Sequence, residues 1–140
     1  MKIVLISCVK TKRDIPCKAS DMYISTWFKY AYKYALAQNP DRIFILSAKY
    51  GLLKADEVIE PYEQLLSKRV TENKKWAKQV IDRLNEYSNL QKDKFVILAG
   101  EVYRKNIIQH IQDCTIPLQG LAQGEQVQFL IKHTRGQWHE

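Results

Sequence analysis

The sequence predicts a three-layer α/β fold, Rossmann-like or flavodoxin-like, in which helices flank a mostly parallel sheet. Three short apolar runs carry this prediction, because each has the composition of a strand that is buried on both faces. Amphipathic stretches of helical length separate the runs, as expected for parallel strands with right-handed crossovers. The chain has 140 residues, 46% of them hydrophobic and 26% charged, so we expect a single globular domain over residues 1–140.

The first run, Lys2–Ser7, is almost entirely apolar and is predicted to be the first and central strand. Residues 8–20 are polar and basic and are expected to form a loop. Either Ser20 or Asp21 is then expected to cap a helix over residues 22–37, where large apolar side chains recur at helical spacing.

The second run, Arg42–Ser47, is predicted to be another buried strand, and residues 52–61 after it are expected to be irregular. Thr71 is expected to cap a helix over residues 72–87. One face of that helix is apolar, so it should pack on the sheet.

The third run, residues 94–99, is the last of the three buried strands, and Gly100 is expected to end it before a helix that carries Tyr103 and Ile111. Residues 115–118 are expected to form a fourth strand, which Pro117 restricts to an edge. A final helix over residues 123–133 should cover the sheet.

The charge of the chain points to an anionic partner. A formal net charge of +7 and an isoelectric point near 9.3 favour nucleic acid, a nucleotide or another phosphorylated ligand, although many basic proteins only carry a solvated lysine surface. No membrane partner is expected, since no apolar run reaches the length of a membrane span. The sequence leaves the oligomeric state open.

No cofactor or metal is expected. The chain has neither a dinucleotide nor a P-loop fingerprint, and His110, His133 and His139 lack metal-ligand spacing. Cys8, Cys17 and Cys114 form an odd set without a CxxC pair, and no signal-peptide pattern follows Met1, so a reducing cytoplasm is the expected location. Cys8 is expected to be structural.

The candidate site lies where the three strands end, because ligands of open parallel sheets bind beyond the carboxyl ends of the strands. Lys10 is the candidate catalytic amine in a strongly cationic first loop, and Glu60 and Asp56 are the candidate acids or bases. The predicted substrate-binding residues are Ser7, Thr11, Lys12, Arg13, Ser47, Tyr50, Gly51, Tyr62, Gly100 and Tyr103.

The chain also resembles a known family. Its Leu46, Ser47, Tyr50, Gly51, Leu52, Leu53, Asp56, Ile59, Pro61 and Tyr62 match the pattern LSxxYGLL, acidic, aliphatic, PY of the YaaA family of peroxide-stress proteins. Lys10 and Thr11 match its first loop, and Tyr103 and Lys105 a later stretch, where Glu101 and Val102 depart from the family's asparagine and glutamate. The segment 117–126 resembles more closely the small stand-alone domains related to that family. The resemblance implies DNA binding and, more distantly, base-modification chemistry.

Two functions remain open. In the first, the chain is a nucleic-acid- or nucleotide-directed enzyme that acts on a nucleobase or an N-glycosidic bond, as a glycosylase/lyase or base-modifying enzyme, with Lys10 as nucleophile or phosphate clamp. In the second, it is a DNA- or nucleotide-binding module without turnover, with a role in stress response or DNA protection. A third interpretation, that Tyr50, Gly51 and Tyr62 are structural, also fits their residue types.

Overall fold

The computed structural model describes residues 1–134, and within this range it has the mixed α/β architecture that the sequence predicts. The elements in chain order are β1 (Lys2–Ser7), β2 (Cys17–Lys18), α1 (Ala19–Met22), α2 (Thr26–Ala37), β3 (Arg42–Ser47), β4 (Gly51–Lys54), β5 (Val58–Ile59), α3 (Val70–Tyr87), β6 (Lys94–Leu98), α4 (Glu101–Arg104), a 3₁₀ turn (Ile108–His110), β7 (Asp113–Thr115) and α5 (Gln123–Thr134).

The main sheet has five strands in the order β4-β3-β1-β6-β7, so the prediction that the first strand is central is confirmed. β1 pairs in parallel with both neighbours, and Leu5 faces Phe44 on one side and Ile97 on the other. β7 is also parallel, whereas β4 returns antiparallel beside β3. Counted along the chain, the four parallel strands lie in the order 2-1-3-4, which is the flavodoxin-like arrangement.

Helices cover both faces of the sheet, which confirms the three-layer prediction. The alternation of side chains along β1 sends Val4 and Ile6 to one face and Ile3 and Leu5 to the other. The first face packs against α2 and α5, and the second packs against α3. All four of these β1 side chains are completely buried, as expected for the central strand of such a sheet.

The first helix was predicted to begin too early. Residues 22–37 were expected to form one helix, but α2 begins at Thr26, and Ser25 caps it by accepting a hydrogen bond from the Phe28 amide at 3.1 Å. Tyr23 cannot belong to the helix, because its backbone pairs with Lys12 in an extended bridge. The short helix α1 precedes it.

The segment after β3 was predicted to be irregular but is largely extended. β4 forms a tight return of the chain beside β3, and β5 pairs with β2 in a separate two-stranded ribbon. Gly51 has a φ of +74° at the start of β4, a backbone conformation that glycine adopts without strain. Ion pairing of Arg83 with Glu57 and its hydrogen bond to the Leu52 carbonyl attach α3 to this part of the chain.

Three other boundaries differ from the sequence predictions. The long helix begins at Val70, and Thr71 is inside it rather than at its cap. The helix after Gly100 is divided into the short α4 and a 3₁₀ turn. The fourth parallel strand is β7, two residues earlier than expected, and Pro117 lies beyond it. Across residues 1–134, no helix combines the length and the apolar character needed to cross a membrane.

Candidate functional site

A cavity of about 240 Å³ lies at the carboxyl ends of β1 and β6, where the strand order reverses. We call it the strand-end cavity. In doubly wound sheets, ligands bind at this reversal. The connections that follow the two neighbouring strands go to opposite faces of the sheet, so a crevice opens between them. The residues that line the cavity are Ser7, Cys8, Val9, Trp27, Gly100, Tyr103, Gln123 and Gln126.

Cys8 and Tyr103 form one wall of the strand-end cavity. The Cys8 amide donates to the Leu46 carbonyl at 2.8 Å, so the chain stays in register one residue beyond β1. The Cys8 Sγ and the Tyr103 hydroxyl lie 3.2 Å apart and share a hydrogen bond. Trp76 packs edge-on against the Tyr103 ring with centroids 5.7 Å apart, so the ring position is well defined.

The opposite wall comes from two helices that lie far apart in sequence. The Trp27 indole N–H, on α2, donates to Gln126 Oε1, on α5, at 2.9 Å. Gln126 Nε2 in turn donates to the Leu121 carbonyl at 2.9 Å. The orientation of the Gln126 amide is therefore fixed, and the Trp27 indole is held beside the cavity.

A network of hydroxyl groups lies next to this cavity, at the end of β3. We call it the serine–tyrosine network, and its members are Ser47, Tyr23 and Tyr62. Ser47 Oγ accepts from the Tyr50 amide at 3.0 Å and donates to the Tyr62 hydroxyl at 2.8 Å. The hydroxyl groups of Tyr23 and Tyr62 are 2.7 Å apart. Every hydroxyl of the network thus has a partner, as buried polar groups require.

The tyrosines of the site resist ionisation. Burial is the largest influence on each of them: it raises the pKa of Tyr23 to about 12 and raises the pKa values of Tyr62 and Tyr103 further. The nearby Cys8 thiol raises all three pKa values as well, because a thiolate there would repel a tyrosinate. At neutral pH these side chains are therefore hydrogen-bond donors rather than bases.

Lys12 brings an amine onto this network. Its Nζ lies 4.5 Å from the centroid of the Tyr62 ring and 5.9 Å from that of Tyr23, and it donates to the Lys10 carbonyl at 3.1 Å. Burial lowers the pKa of Lys12, and negative charge on Cys8 and Glu63 opposes that shift in part. The amine is thus closer to its neutral, nucleophilic form than that of a solvated lysine.

The structure brings eight of the thirteen predicted site residues together. Ser7, Gly100 and Tyr103 line the strand-end cavity, and Lys12, Ser47 and Tyr62 form or contact the serine–tyrosine network. Tyr50 joins them through an edge-on contact with the Tyr62 ring at 5.5 Å. Gly51 lies just behind, at the turn into β4.

The remaining predicted residues point elsewhere. Lys10, Thr11 and Arg13 have exposed side chains, and Arg13 lines a different groove along α2. Asp56 and Glu60 are also exposed, and the contact of Glu60 with this region is made by its carbonyl, which accepts from the Tyr50 hydroxyl at 3.4 Å. Catalytic roles for Lys10, Asp56 and Glu60 stay predictions.

Sequence reasoning missed four residues that the cavity or network uses, namely Tyr23, Trp27, Gln123 and Gln126. Tyr23 and Trp27 were assigned to one face of a predicted helix, where aromatic side chains usually belong to the hydrophobic core. The two glutamines belong to the segment 117–126 that carries a family resemblance, so a signal for them existed. Cys8 was expected to be structural, yet its thiol faces the cavity.

No metal centre is found in the described residues 1–134, where no group of three or more His, Cys, Asp or Glu side chains converges. His110 and His133 are exposed, and His139 lies outside the described range. The site therefore consists of hydroxyl, thiol, amide, indole and amine groups.

Comparison with known proteins assigns the chain to a family. No curated protein matches the sequence. A family model does match, and it spans residues 3–132, which include every strand of the main sheet and nearly all of α5. The chain belongs to DUF6884, a family of unknown function.

Proposed function

We propose that this protein is an enzyme directed at nucleic acid or nucleotides that acts on a nucleobase or its N-glycosidic bond at the strand ends. The observation that carries the proposal is the Lys12 amine, whose pKa burial lowers and which lies on the Tyr62 ring. Lys12 is outside the lining of the strand-end cavity but interacts electrostatically with Cys8, which lines it. The resemblance of residues 46–62 to the YaaA family supports the same substrate class. A cytoplasmic location and an anionic partner belong to this proposal.

The strand-end cavity suits a flat, polar ring. Its volume of about 240 Å³ falls below the ~300 to 1,000 Å³ typical of small-molecule sites, so it holds a group the size of a base better than a complete cofactor. Trp27 and Tyr103 supply aromatic surface for stacking. Gln123, whose amide is at the cavity and exposed, supplies both a donor and an acceptor for the edge of the base.

The chemistry uses the neutral form of the Lys12 amine, which its lowered pKa makes easier to reach than in a solvated lysine. The lone pair of Lys12 Nζ forms a bond to C1′ of the sugar while the C1′–N bond to the base breaks, and the departing base takes up a proton. After the new ammonium has lost one proton, the nitrogen lone pair forms the C1′=N bond while the C1′–O4′ bond breaks and O4′ takes up a proton from water, which gives a protonated Schiff base between Lys12 and C1′. In this scheme Tyr103 donates a hydrogen bond to the leaving base, because its raised pKa keeps the hydroxyl protonated.

A second candidate function is binding without turnover. It is favoured by the positions of Asp56 and Glu60, whose exposed carboxylates are absent from the lining of the strand-end cavity. An enzyme of this type would then depend on tyrosine, cysteine and lysine for all proton transfers. A binding module needs only the stacking surface and the cationic loop of Lys10, Lys12 and Arg13.

Borohydride trapping separates the two functions. The protein is incubated with abasic and base-modified DNA, reduced, and examined by mass spectrometry for a covalent adduct. The enzyme proposal predicts an adduct on Lys12, because reduction converts the Schiff base to a stable secondary amine. Binding of the same DNA without any adduct would reject the lysine mechanism and favour the binding module.

Lys10→Ala and Lys12→Ala form a matched pair for this experiment, since both remove one cation from the same loop. We expect Lys12→Ala to abolish the adduct and Lys10→Ala to retain it, because Lys10 is exposed whereas Lys12 is partly buried. Loss of the adduct only in Lys10→Ala would identify Lys10, the residue that the sequence indicated, as the nucleophile.

A further inference from the structure

A second cavity, of about 400 Å³, lies on the other side of α4 from the strand-end cavity. We call it the lysine groove. It runs between the first turns of α3 and the segment after β6, and its lining includes Lys68, Lys74, Glu101, Lys105, Asn106 and Gln109. Residues at the start of α4 line both cavities. Gly100, just before the helix, and Tyr103 line the strand-end cavity, whereas Glu101 and Val102 line the lysine groove.

A pair of buried amides forms the floor of the lysine groove. Asn73 Nδ2 donates to the carbonyl oxygens of Ser67 at 2.8 Å and Val102 at 3.0 Å, which leaves Asn73 Oδ1 as an acceptor. Asn106 Nδ2 donates to that oxygen at 2.8 Å. The orientation of both amides is therefore determined by the two backbone carbonyls.

One atom of this pair has no partner. Asn106 is only 8% exposed, and its Oδ1 accepts no hydrogen bond from any residue in the described range 1–134. No side-chain polar atom in that range is both fully buried and unpaired, so Asn106 Oδ1 retains access to the groove that Asn106 lines. An accessible carbonyl oxygen in this position accepts from solvent in the free protein, and a ligand that donates an O–H or N–H group can take the place of that solvent.

The rim of the lysine groove is cationic. Lys68, Lys74 and Lys105 carry three positive charges, and none of the three takes part in an ion pair in the part of the chain that the structure describes. Glu101 contributes the single carboxylate among the lining residues. This excess of positive charge favours an anionic group, and ammonium groups bind phosphate oxygens well.

We propose that the lysine groove binds one nucleotide unit, with its phosphate at the lysines and a hydroxyl or N–H group on Asn106 Oδ1. A nucleotide offers groups for both the lysines and the amide oxygen, whereas phosphate alone is too small to add the contacts of a sugar or base and a nucleoside alone leaves the lysines without a counterion. The inference does not depend on the chemistry proposed for the strand-end cavity. The unit can be a free nucleotide or one unit of a single strand, since both present the same groups.

Binding is measured by titration calorimetry with AMP, adenosine, inorganic phosphate and a short single-stranded oligoadenylate. We expect AMP to bind at least about tenfold more tightly than phosphate or adenosine, because only AMP engages both ends of the groove. A free nucleotide as the physiological source predicts that AMP binds more tightly than each unit of the oligoadenylate, and a strand predicts the reverse. Equal, weak binding of AMP and phosphate would overturn the proposal.

Two double variants control for charge. Lys74→Gln with Lys105→Gln removes two cations from the groove, and Lys92→Gln with Lys132→Gln removes two exposed cations that do not line it. We expect about a tenfold loss of AMP affinity in the first variant and less than about a twofold change in the second. An equal loss of AMP affinity in both double variants would show that only the net charge of the protein matters, and it would reject the proposed site.

NMR locates the ligand without relying on any variant. AMP should shift the side-chain amide signals of Asn106 and leave the Trp27 indole N–H signal in place, because the two groups belong to different cavities. A shift of the Trp27 signal alone would refute the groove and assign the ligand to the strand-end cavity. The proposed enzyme function is tested separately, by borohydride trapping of an adduct on lysine.

Discussion

At the scale of single residues, Tyr62 is the centre of the candidate site. Its hydroxyl accepts from Ser47 and is hydrogen-bonded to Tyr23, while its ring carries the Lys12 ammonium on one side and the edge of Tyr50 on another. It thus connects the end of β3 to the loop after β1. Loss of this hydroxyl would leave two buried partners incompletely satisfied.

Replacement of Tyr62 by phenylalanine should therefore destabilise the protein. We expect Tyr62→Phe to lower the free energy of unfolding by about 1 to 3 kcal/mol, the usual cost of an unpaired buried polar group. Urea titration followed by tryptophan fluorescence measures it. Tyr50→Phe is the matched control, since within residues 1–134 the Tyr50 hydroxyl makes one long, exposed hydrogen bond, at 3.4 Å, and its loss should cost well under 1 kcal/mol. Equal effects in the two variants would contradict the network.

The choice between Lys10 and Lys12 shows what sequence reasoning could and could not reach at this scale. The sequence predicted that the cationic loop after β1 lies at the candidate site, and one lysine of that loop, Lys12, contacts the Tyr62 ring. Which lysine turns inward depends on the bridge between Lys12 and Tyr23, a pairing of residues eleven positions apart that no local pattern specifies. Residue type alone therefore could not separate the two.

At the scale of elements, the three buried parallel strands could be predicted because continuous apolar runs have few alternatives in a chain of this size. Lys2–Ser7 and Arg42–Ser47 agree with the structure at both ends. β4 was missed, since Leu52 and Leu53 gave too short a run to distinguish a strand from a loop. The turn that ends at Gly51 reverses the chain so that β4 pairs antiparallel with β3. The positive φ of Gly51 in this turn cannot be read from the residue type alone.

Substitutions at two glycines test this account of the turn. Gly51→Ala should cost about 1 to 2 kcal/mol of stability, because a side chain at φ +74° is strained even though the added Cβ would be 3.8 Å from the nearest atom, Val80 Cγ2. Gly124→Ala, in α5 with open space around it, should instead be neutral or stabilise by up to about 1 kcal/mol. Thermal unfolding of both variants measures the difference. A stabilised Gly51→Ala protein would show that the turn tolerates alanine.

At the scale of the whole molecule, the order of the strands decides where the site lies. The sequence predicted a crevice at the strand ends, and the reversal between β1 and β6 supplies it. The wall contributed by Trp27 and Gln126 could not be predicted in the same way. It requires α2 and α5 to pack side by side, and that contact joins residues almost a hundred positions apart.

The buried tyrosines predict a loss of stability in alkali. Five have raised pKa values, mainly through burial: Tyr23, Tyr32, Tyr34, Tyr62 and Tyr103. Below pH 10 they are neutral in both states and add no pH dependence. Above pH 10 the unfolded chain releases these protons while the folded chain retains them, so the free energy of unfolding falls by up to about 1.4 kcal/mol per pH unit for each tyrosine.

Lys12 acts in the opposite direction, because its pKa is lowered on folding. Between its folded pKa and the usual value of 10.5, the unfolded state binds more protons, so its contribution to stability rises with pH. Several tyrosines outweigh this one lysine above pH 10. Urea unfolding at pH 8, 10 and 11 should therefore give no loss of stability from these groups between pH 8 and pH 10 and a clear loss between pH 10 and pH 11, with tyrosinate absorbance appearing together with unfolding. Stability that increases from pH 10 to pH 11 would contradict these pKa shifts.

The hydrogen bond between Trp27 and Gln126 also has a consequence for the order of events during translation. Chains are synthesised from the amino terminus, so β1, α2, β3 and β6 leave the ribosome before α5 does. Until α5 docks, the strand-end cavity lacks the wall that Gln123 and Gln126 complete. A nascent chain can thus assemble its sheet while the strand-end cavity is still open on one side, and the cavity is complete only after the last helix has docked.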